Sequence, residues 1–481
     1  MLNKEHSVPR TEMLNKRTLG GRRWARGGAR AGFGLALAAG AFSGLGPSSS
    51  AAAAPTKTIT WFVRTQPAEN KWEATVVAQF EKLHPNIHVS EIIVPQSEFD
   101  TKLDALFAAG QPPDIFNHWG VDGFADYYAK GMIQPITSYI KKFHFNMSAI
   151  SPNILKFGTK QGQVYGIPVT SAPSFIVYNK TLFQKYHLAI PPTSWTDRSW
   201  NYATFMHDAK VLTTNTGNPA KETWGFNPWG ASWNPRWVYA WLWNGDPFTP
   251  AGGRTGEAAY RTGVITSADA ASNPGVVSAV KWMAGMVSSH IAPVPGQAEL
   301  SGAVDPMFSG RVGMEGDIMF WLAEAPTVKP NFKWGVAPLP WMTSTQPTGA
   351  RFTDLWMLAK GARHPNAAFQ FMKYISSGTG LREYLQATHR LPAVPSLAPL
   401  VFKGIAATPG FSMSMAGLKS VLLGGLKYSH ESPNHTLISY PQWYHVWNAG
   451  TQRIWDGSAG VSTALHAIDT TWEGMIHSGV K

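Results

Sequence analysis

The sequence predicts an α/β protein in which open sheets are flanked by helices. Three observations predict it. Short runs rich in β-branched and aromatic residues alternate with segments whose apolar residues recur at helical spacing, and Gly or Pro punctuates the changeovers. The order near the amino end reads β-α-β-α-β-α, which argues for parallel strands covered by helices. At 481 residues, with 44% apolar and 15% charged side chains, the chain is long enough for two or three domains with real cores.

The elements follow in order. Thr58–Val63 reads as a strand. Asn70–Leu83 places Trp72, Val76, Phe80 and Leu83 at helical spacing and stops before Pro85. His88–Val94 is a second strand, and Ser97–Ala109 a helix with Phe99, Leu103 and Leu106 on one face and Gly110 beyond its end. Asp114–Asn117 is a short third strand, Phe124–Lys130 a helix closed by Gly131. Ser174–Tyr178 is another strand, followed by a short helix, Thr181–Tyr186. Trp237 and Trp241 share one helix face behind Asn234-Pro235, an N-cap followed by Pro at the first helical position. Loops are expected at Asn215–Pro219, Phe248–Gly256, Met342–Gly349 and Tyr428–Thr436.

Residues 1–54 do not read as fold. They hold eight basic residues against Glu5 and Glu12, a weakly apolar run from Ala31 to Gly46, and a small-residue exit at Ala51–Ala54. These are the three parts of a secretory signal, and the run is too short and Gly/Ala-rich to stay in a membrane. Arg22-Arg23 before Trp24 resembles a twin-arginine export signal. Met13-Leu-Asn-Lys repeats Met1-Leu-Asn-Lys, so either Met begins the chain. Of the formal net charge of +12, half leaves with the signal, and the rest forms no Lys/Arg run, which argues against nucleic acid. Without cysteine there can be no disulfide, thiol chemistry or cysteine-held metal.

Several segments in order resemble the family-1 extracellular solute-binding proteins of ABC transporters, the group containing the maltose-binding protein. They are Pro113-Asp-Ile-Phe-Asn with Gly131-Met-Ile-Gln-Pro-Ile; Tyr165-Gly-Ile-Pro, Val177-Tyr-Asn-Lys-Thr-Leu-Phe and Pro191-Pro-Thr-Ser-Trp; Phe308-Ser-Gly-Arg-Val-Gly-Met; and Gly335-Val-Ala-Pro-Leu-Pro with His364-Pro-Asn-Ala-Ala-Phe-Gln-Phe-Met. The resemblance covers roughly residues 58–475. It implies a two-lobed periplasmic-binding-protein-like fold of type II, with three hinge crossings and a cleft that closes on ligand. One lobe would take residues 55–168 and 354–410, the other 169–353 and 411–481. It also implies a monomer that hands a sugar or oligosaccharide to membrane permease subunits, in the periplasm or on the outer face of the cytoplasmic membrane. No cofactor, metal or catalytic residue is expected.

A sugar cleft should mix aromatic rings, on which C–H faces pack, with carboxylates and amides for the hydroxyls. Of 21 Trp, eight lie between Trp195 and Trp243. In open parallel sheets ligands bind beyond the carboxyl ends of the strands, which singles out Arg64–Ala68 with Gln66, and His118–Asp122. By resemblance, Trp119 and Asp122 fall on sugar-contacting positions; the plainer reading makes Trp119 core and Asp122 a helix cap. Trp229 and Trp233 precede their helix and are the better ligand candidates of that run. Glu315, Asp317, Phe320 and Trp321 follow the Gly-Met motif, where relatives place an aromatic platform. Arg351 sits at a crossing, Thr170 and Ser171 at another, and Trp443-Tyr444, ahead of a C-terminal helix, lies where relatives supply a further ring.

Rival readings are a secreted glycoside hydrolase, which needs two carboxylates about 5–9 Å apart, and the same fold binding a polyamine, peptide or iron chelate. The chain has no G-x-S-x-G elbow, H-E-x-x-H helix or phosphate-binding loop. His430, Glu431 and His435 form the one dense His/Glu cluster, read as a solvated surface group.

Overall fold

The computed structural model describes residues 56–218, 221–229, 236–248, 257–295, 306–317, 320–343 and 347–480. The expected signal segment, Trp233, the Asn234-Pro235 cap and most of the Phe248–Gly256 loop lie outside these residues.

The amino end folds as its pattern predicts. β1 (Lys57–Arg64) pairs in parallel with β2 (Ile87–Val94) and with β3 (Ile115–Phe116). The first helix starts at Pro67, three residues earlier than the apolar spacing indicates, because the Gln66 side chain accepts the Glu69 N–H and Pro67 takes a position that needs no N–H donor. The second begins as a 3-10 turn, Gln96–Glu98, before running as an α-helix over Phe99–Ala108; Gly110 beyond it takes φ +66°. A small hairpin, β4 (Thr159–Lys160) with β5 (Gln163–Val164), precedes the long strand β6 (Gly166–Pro173).

β7 (Phe175–Asn179) starts a second sheet, which gathers β8 (Trp224–Asn227), β9 (Val312–Asp317) and β10 (Trp334–Ala337) in the order β10-β7-β9-β8. β11 (Gly349–Leu358) returns to the first sheet, antiparallel to both β6 and β3. The chain next meets the second sheet at Gly410–Ser412, where the Trp334 N–H donates to the Gly410 carbonyl and the Ser412 N–H to that of Trp334. The chain thus passes between two sheets three times, the architecture of a two-lobed binding protein.

Two expectations give way. Tyr428–Thr436 is not a loop: Ser429–Glu431 is a strand, β12, parallel to β11, and Pro433–Thr436 is a helical turn buried against the first lobe. Pairing with β11 satisfies backbone groups that the polar composition appeared to leave to water. Residues 236–243 form a 3-10 helix, so Trp237 and Trp241 do not share an α-helical stripe; both are core because residues 237–242 are buried all round.

Candidate functional site

The carboxyl ends of β1 and β3 lie side by side, since Phe62 pairs with Phe116. That register brings Arg64 beside the Asn117–Trp119 segment, with Gln66 two residues further on. The Arg64 guanidinium sits 4.8 Å from the centre of the Trp119 ring, within cation–π range, while Trp119 meets Trp356 edge-on at 5.2 Å. Arg64 also grips Glu69 with two hydrogen bonds, of 2.9 and 2.8 Å. Glu69 is shared with Arg390 at 3.1 Å, and Arg390 reaches on to Asp354 at 3.0 Å. The Thr170 hydroxyl donates to the same Asp354 oxygen. Burial works to raise the Asp354 pKa, but Arg390 prevails and holds it below the usual range.

A second network shares the crossing strands. His118 donates from Nε2 to the Thr353 carbonyl at 2.9 Å, and its ring lies 4.3 Å from that of His435. Burial, then His435, pulls the His118 pKa down to about 3, so it is neutral. His435 pairs with Glu431 at 2.8 Å, and Glu431 also accepts from the Thr353 N–H and hydroxyl and from Arg351 Nε at 3.1 Å. Burial opposes ionisation of Glu431, yet the His435 hydrogen bond and Arg351 keep its pKa below the ordinary value. The solvated reading of this cluster is therefore corrected: His430 is exposed, but Glu431 and His435 are enclosed and fully engaged. Ser171 joins through its hydroxyl, 3.0 Å from that of Thr353.

Gln66 bridges the lobes. Its side-chain oxygen caps the first helix, and its amide donates to the Glu324 carboxylate on the helix Phe320–Val328 of the second lobe. Asp122 stands apart. It lines a cavity of about 430 Å³ with Asp100, Asp126 and Lys130, faced by Ser439 and His445 of the C-terminal segment. Lys130 Nζ lies 2.6 Å from Asp122 and 2.7 Å from Asp126. Burial, then Asp100 and Asp126, pushes the Asp122 pKa up to about 8.

In the second lobe Glu315 and Asp317 alternate along β9, both buried. Glu315 accepts from Asn227 at 2.6 Å, and Asp317 accepts the Trp321 N–H at 2.9 Å. Trp229 hangs its indole N–H on the Pro293 carbonyl at 2.7 Å, and Arg236 lies 4.9 Å over its ring. Trp321 is fully enclosed between Phe308 and Trp334, and Trp443, inside the helix Tyr440–Trp455 and not ahead of it, packs on Phe248 and Trp472. These two rings are packed into cores, whereas Tyr444 lies nearer the surface, stacked on Tyr440. The Phe320 side chain lies outside the described residues.

The structure therefore assembles Gln66, His118, Trp119, Thr170, Ser171 and Arg351 around the strand ends and crossings, and sets Asp122, Trp229, Glu315 and Asp317 in other surroundings. Arg64, Glu69, Asp354 and Arg390, which bind the assembly together, are missing from the sequence-based set. Only Arg64 carries a local signal, its place at the carboxyl end of β1.

Residues 75–411 match the pattern of the bacterial extracellular solute-binding proteins, over more than half of the chain. The chain belongs to that family. A Bacillus subtilis melibiose/raffinose/stachyose-binding protein is 29% identical over 120 residues, 24% of this chain and 26% of its own. A Listeria monocytogenes ABC substrate-binding protein, solved in complex with cycloalternan, superposes with a TM-score of 0.70 at 22% identity, covering 87% of this chain and 99% of that one. A cyclic alpha-maltosyl-1,6-maltose binding protein from Arthrobacter globiformis gives a TM-score of 0.63 at 19% identity, over 88% and 100%. At these identities the structural likeness carries the two-lobed fold. The solute-binding family in turn makes this an exported component of an ABC importer. Among the described residues no helix is long and apolar enough to cross a membrane.

Proposed function

We propose that this solute-binding protein takes a sugar or oligosaccharide into the cleft between its lobes and passes it, as a monomer, to membrane permease subunits. Residues 1–54 serve as the export signal. The lobes, 55–168 with 354–410 and 169–353 with 411–481, move as units about the crossings, except that β12 and the turn after it stay with the first sheet. The observation that carries the reading is the grouping of Trp119, Arg64, Asn117 and Gln66 at the carboxyl ends of β1 and β3, opposite Glu324 of the other lobe. An aromatic ring beside amides and a guanidinium is the chemistry that a sugar's C–H faces and hydroxyls require. From the second lobe, Trp229, Glu315 and Asp317 are the candidate contacts, each held by neighbours of its own lobe in this structure. A ligand that makes contacts in both lobes favours the closed form by its differential affinity.

A thermal-shift panel on residues 55–481 tests the reading, with sugars against polyamines, peptides and iron chelates. A ligand at a hundredfold excess over its Kd adds about 2.7 kcal/mol of stability. One sugar class should raise the melting temperature, with the sugar recovered intact by chromatography. A rise confined to polyamines, peptides or chelates, or release of a cleaved sugar, would replace the proposal with one of its rivals.

A further inference from the structure

A second cavity, of about 320 Å³, lies outside the groups described so far apart from Arg351 at its edge. Its size falls within the range of about 300–1,000 Å³ typical of small-molecule sites. Its walls are apolar: Ile154, Leu391, Leu423 and Leu426, with Pro392 and Pro395. Leu423 is 43% exposed, a large aliphatic side chain left facing water at the rim. Two cations, Arg351 and Lys427, and the neutral Ser151, Asn153 and Ala398 complete the lining, and no carboxylate contributes to it. Arg351 commits its Nε to Glu431. Lys427 has no carboxylate partner among the described residues; its ammonium lies 5.2 Å over the Tyr428 ring. The cavity thus joins an aliphatic wall to an uncompensated positive charge.

We propose that this cavity binds a small amphipathic anion, an aliphatic carboxylate whose chain lies on the leucines and whose head group meets Lys427 beside Arg351. Burial of the chain supplies the affinity and the ammonium selects the sign of charge. A cation of the same length would meet like charge, and an uncharged alcohol would leave Lys427 unpaired. The site is built at the joint of the molecule. Arg351 lies on β11, while the Leu391 carbonyl accepts the Ser171 N–H at 2.9 Å and the Ala393 N–H donates to Val169 at 2.9 Å, tying this wall to β6. The inference does not depend on the sugar reading.

Titration calorimetry of residues 55–481 with decanoate, below its micelle concentration, tests it against decyltrimethylammonium and decanol. Decanoate should bind saturably at one site per chain, at least tenfold tighter than either comparison. Lys427→Glu and Leu423→Asp, both at exposed positions, should each weaken decanoate at least tenfold while keeping the parent circular dichroism and melting temperature. The absence of saturable decanoate binding overturns the proposal. So does equal binding of the cation, or undiminished binding by both variants.

Discussion

Tryptophan sits in different surroundings in two regions of the molecule. In the second, Trp237, Trp447 and Trp472 pack on one another, with Trp447 and Trp472 stacked at 5.9 Å, and all three are almost fully enclosed. Beyond the strands of the first lobe, Trp119 leans edge-on against Trp356 and lies beside Arg64. The first arrangement is a hydrophobic core. The second puts a ring next to a chain of buried charges, Arg64–Glu69–Arg390–Asp354, at the place where the chain passes between sheets. The same residue type thus fills an apolar core in one place and edges a buried charge network in the other, and its polar neighbours make the difference.

The largest expected effect lies in the aromatic core. Trp472→Ala removes a fully buried ring and should cost about 3–5 kcal/mol in urea unfolding. A cost under 1 kcal/mol would mean that this core does not hold the second lobe together. Next is Arg390→Met, which leaves Glu69 and Asp354 buried without their shared cation and should cost about 3 kcal/mol at pH 7. Arg390 holds the Asp354 pKa down, so this carboxylate's contribution is present above its unfolded pKa and is lost as pH falls through the folded one. The penalty of the variant should therefore shrink in acid, whereas that of Trp472→Ala should not follow the carboxylate titration.

Glu73 sharpens the contrast in the other direction. It is fully buried, with one oxygen held by Asn70 at 2.5 Å, and burial pushes its pKa up to about 9. The folded protein binds a proton that the unfolded chain releases above pH 4.5, so stability is lost as pH rises through that window. Glu73→Gln keeps the Asn70 hydrogen bond and should raise stability by about 2 kcal/mol at pH 7, with the gain vanishing near pH 4. A destabilised variant at pH 7 would show that the carboxylate is ionised in the fold.

At pH 7 the smallest effect belongs to His118. The unfolded histidine takes up a proton below about pH 6.5 that the buried one refuses until about pH 3, so stability falls as pH drops through this window. The slope from this group is at most about 1.4 kcal/mol per pH unit. His118→Gln can still donate to the Thr353 carbonyl and should flatten the pH 4–6 part of the stability curve. An unchanged slope would mean that His118 is charged in the fold.

Much of this molecule is legible in the sequence because its signals are local. Alternation, apolar spacing, Pro85 and Gly110 are read within a few residues of the elements they control, and β1, β2, β3 and the helices between them follow. The candidate site is less legible. The rule that ligands gather at strand ends singles out Trp119 and Gln66, but it says nothing of burial, and Trp119, Trp321 and Trp443 all pack into cores. Composition counts rings and cannot say which way they face. Arg390 and Asp354 had no motif at all, because each is defined by partners far along the chain.

The sequence by itself determined the fold class, the order of elements, the family and the residues after β1 and β3. These rest on hydrogen-bonding periodicity and short motifs, which act over one turn or one strand. Tertiary structure alone decided that Tyr428–Thr436 would be strand and helix, that Glu431 and His435 would be enclosed, and that one arginine would serve two carboxylates. Charge burial and strand pairing depend on what the rest of the chain brings within about 4 Å, and no local window of sequence contains that information.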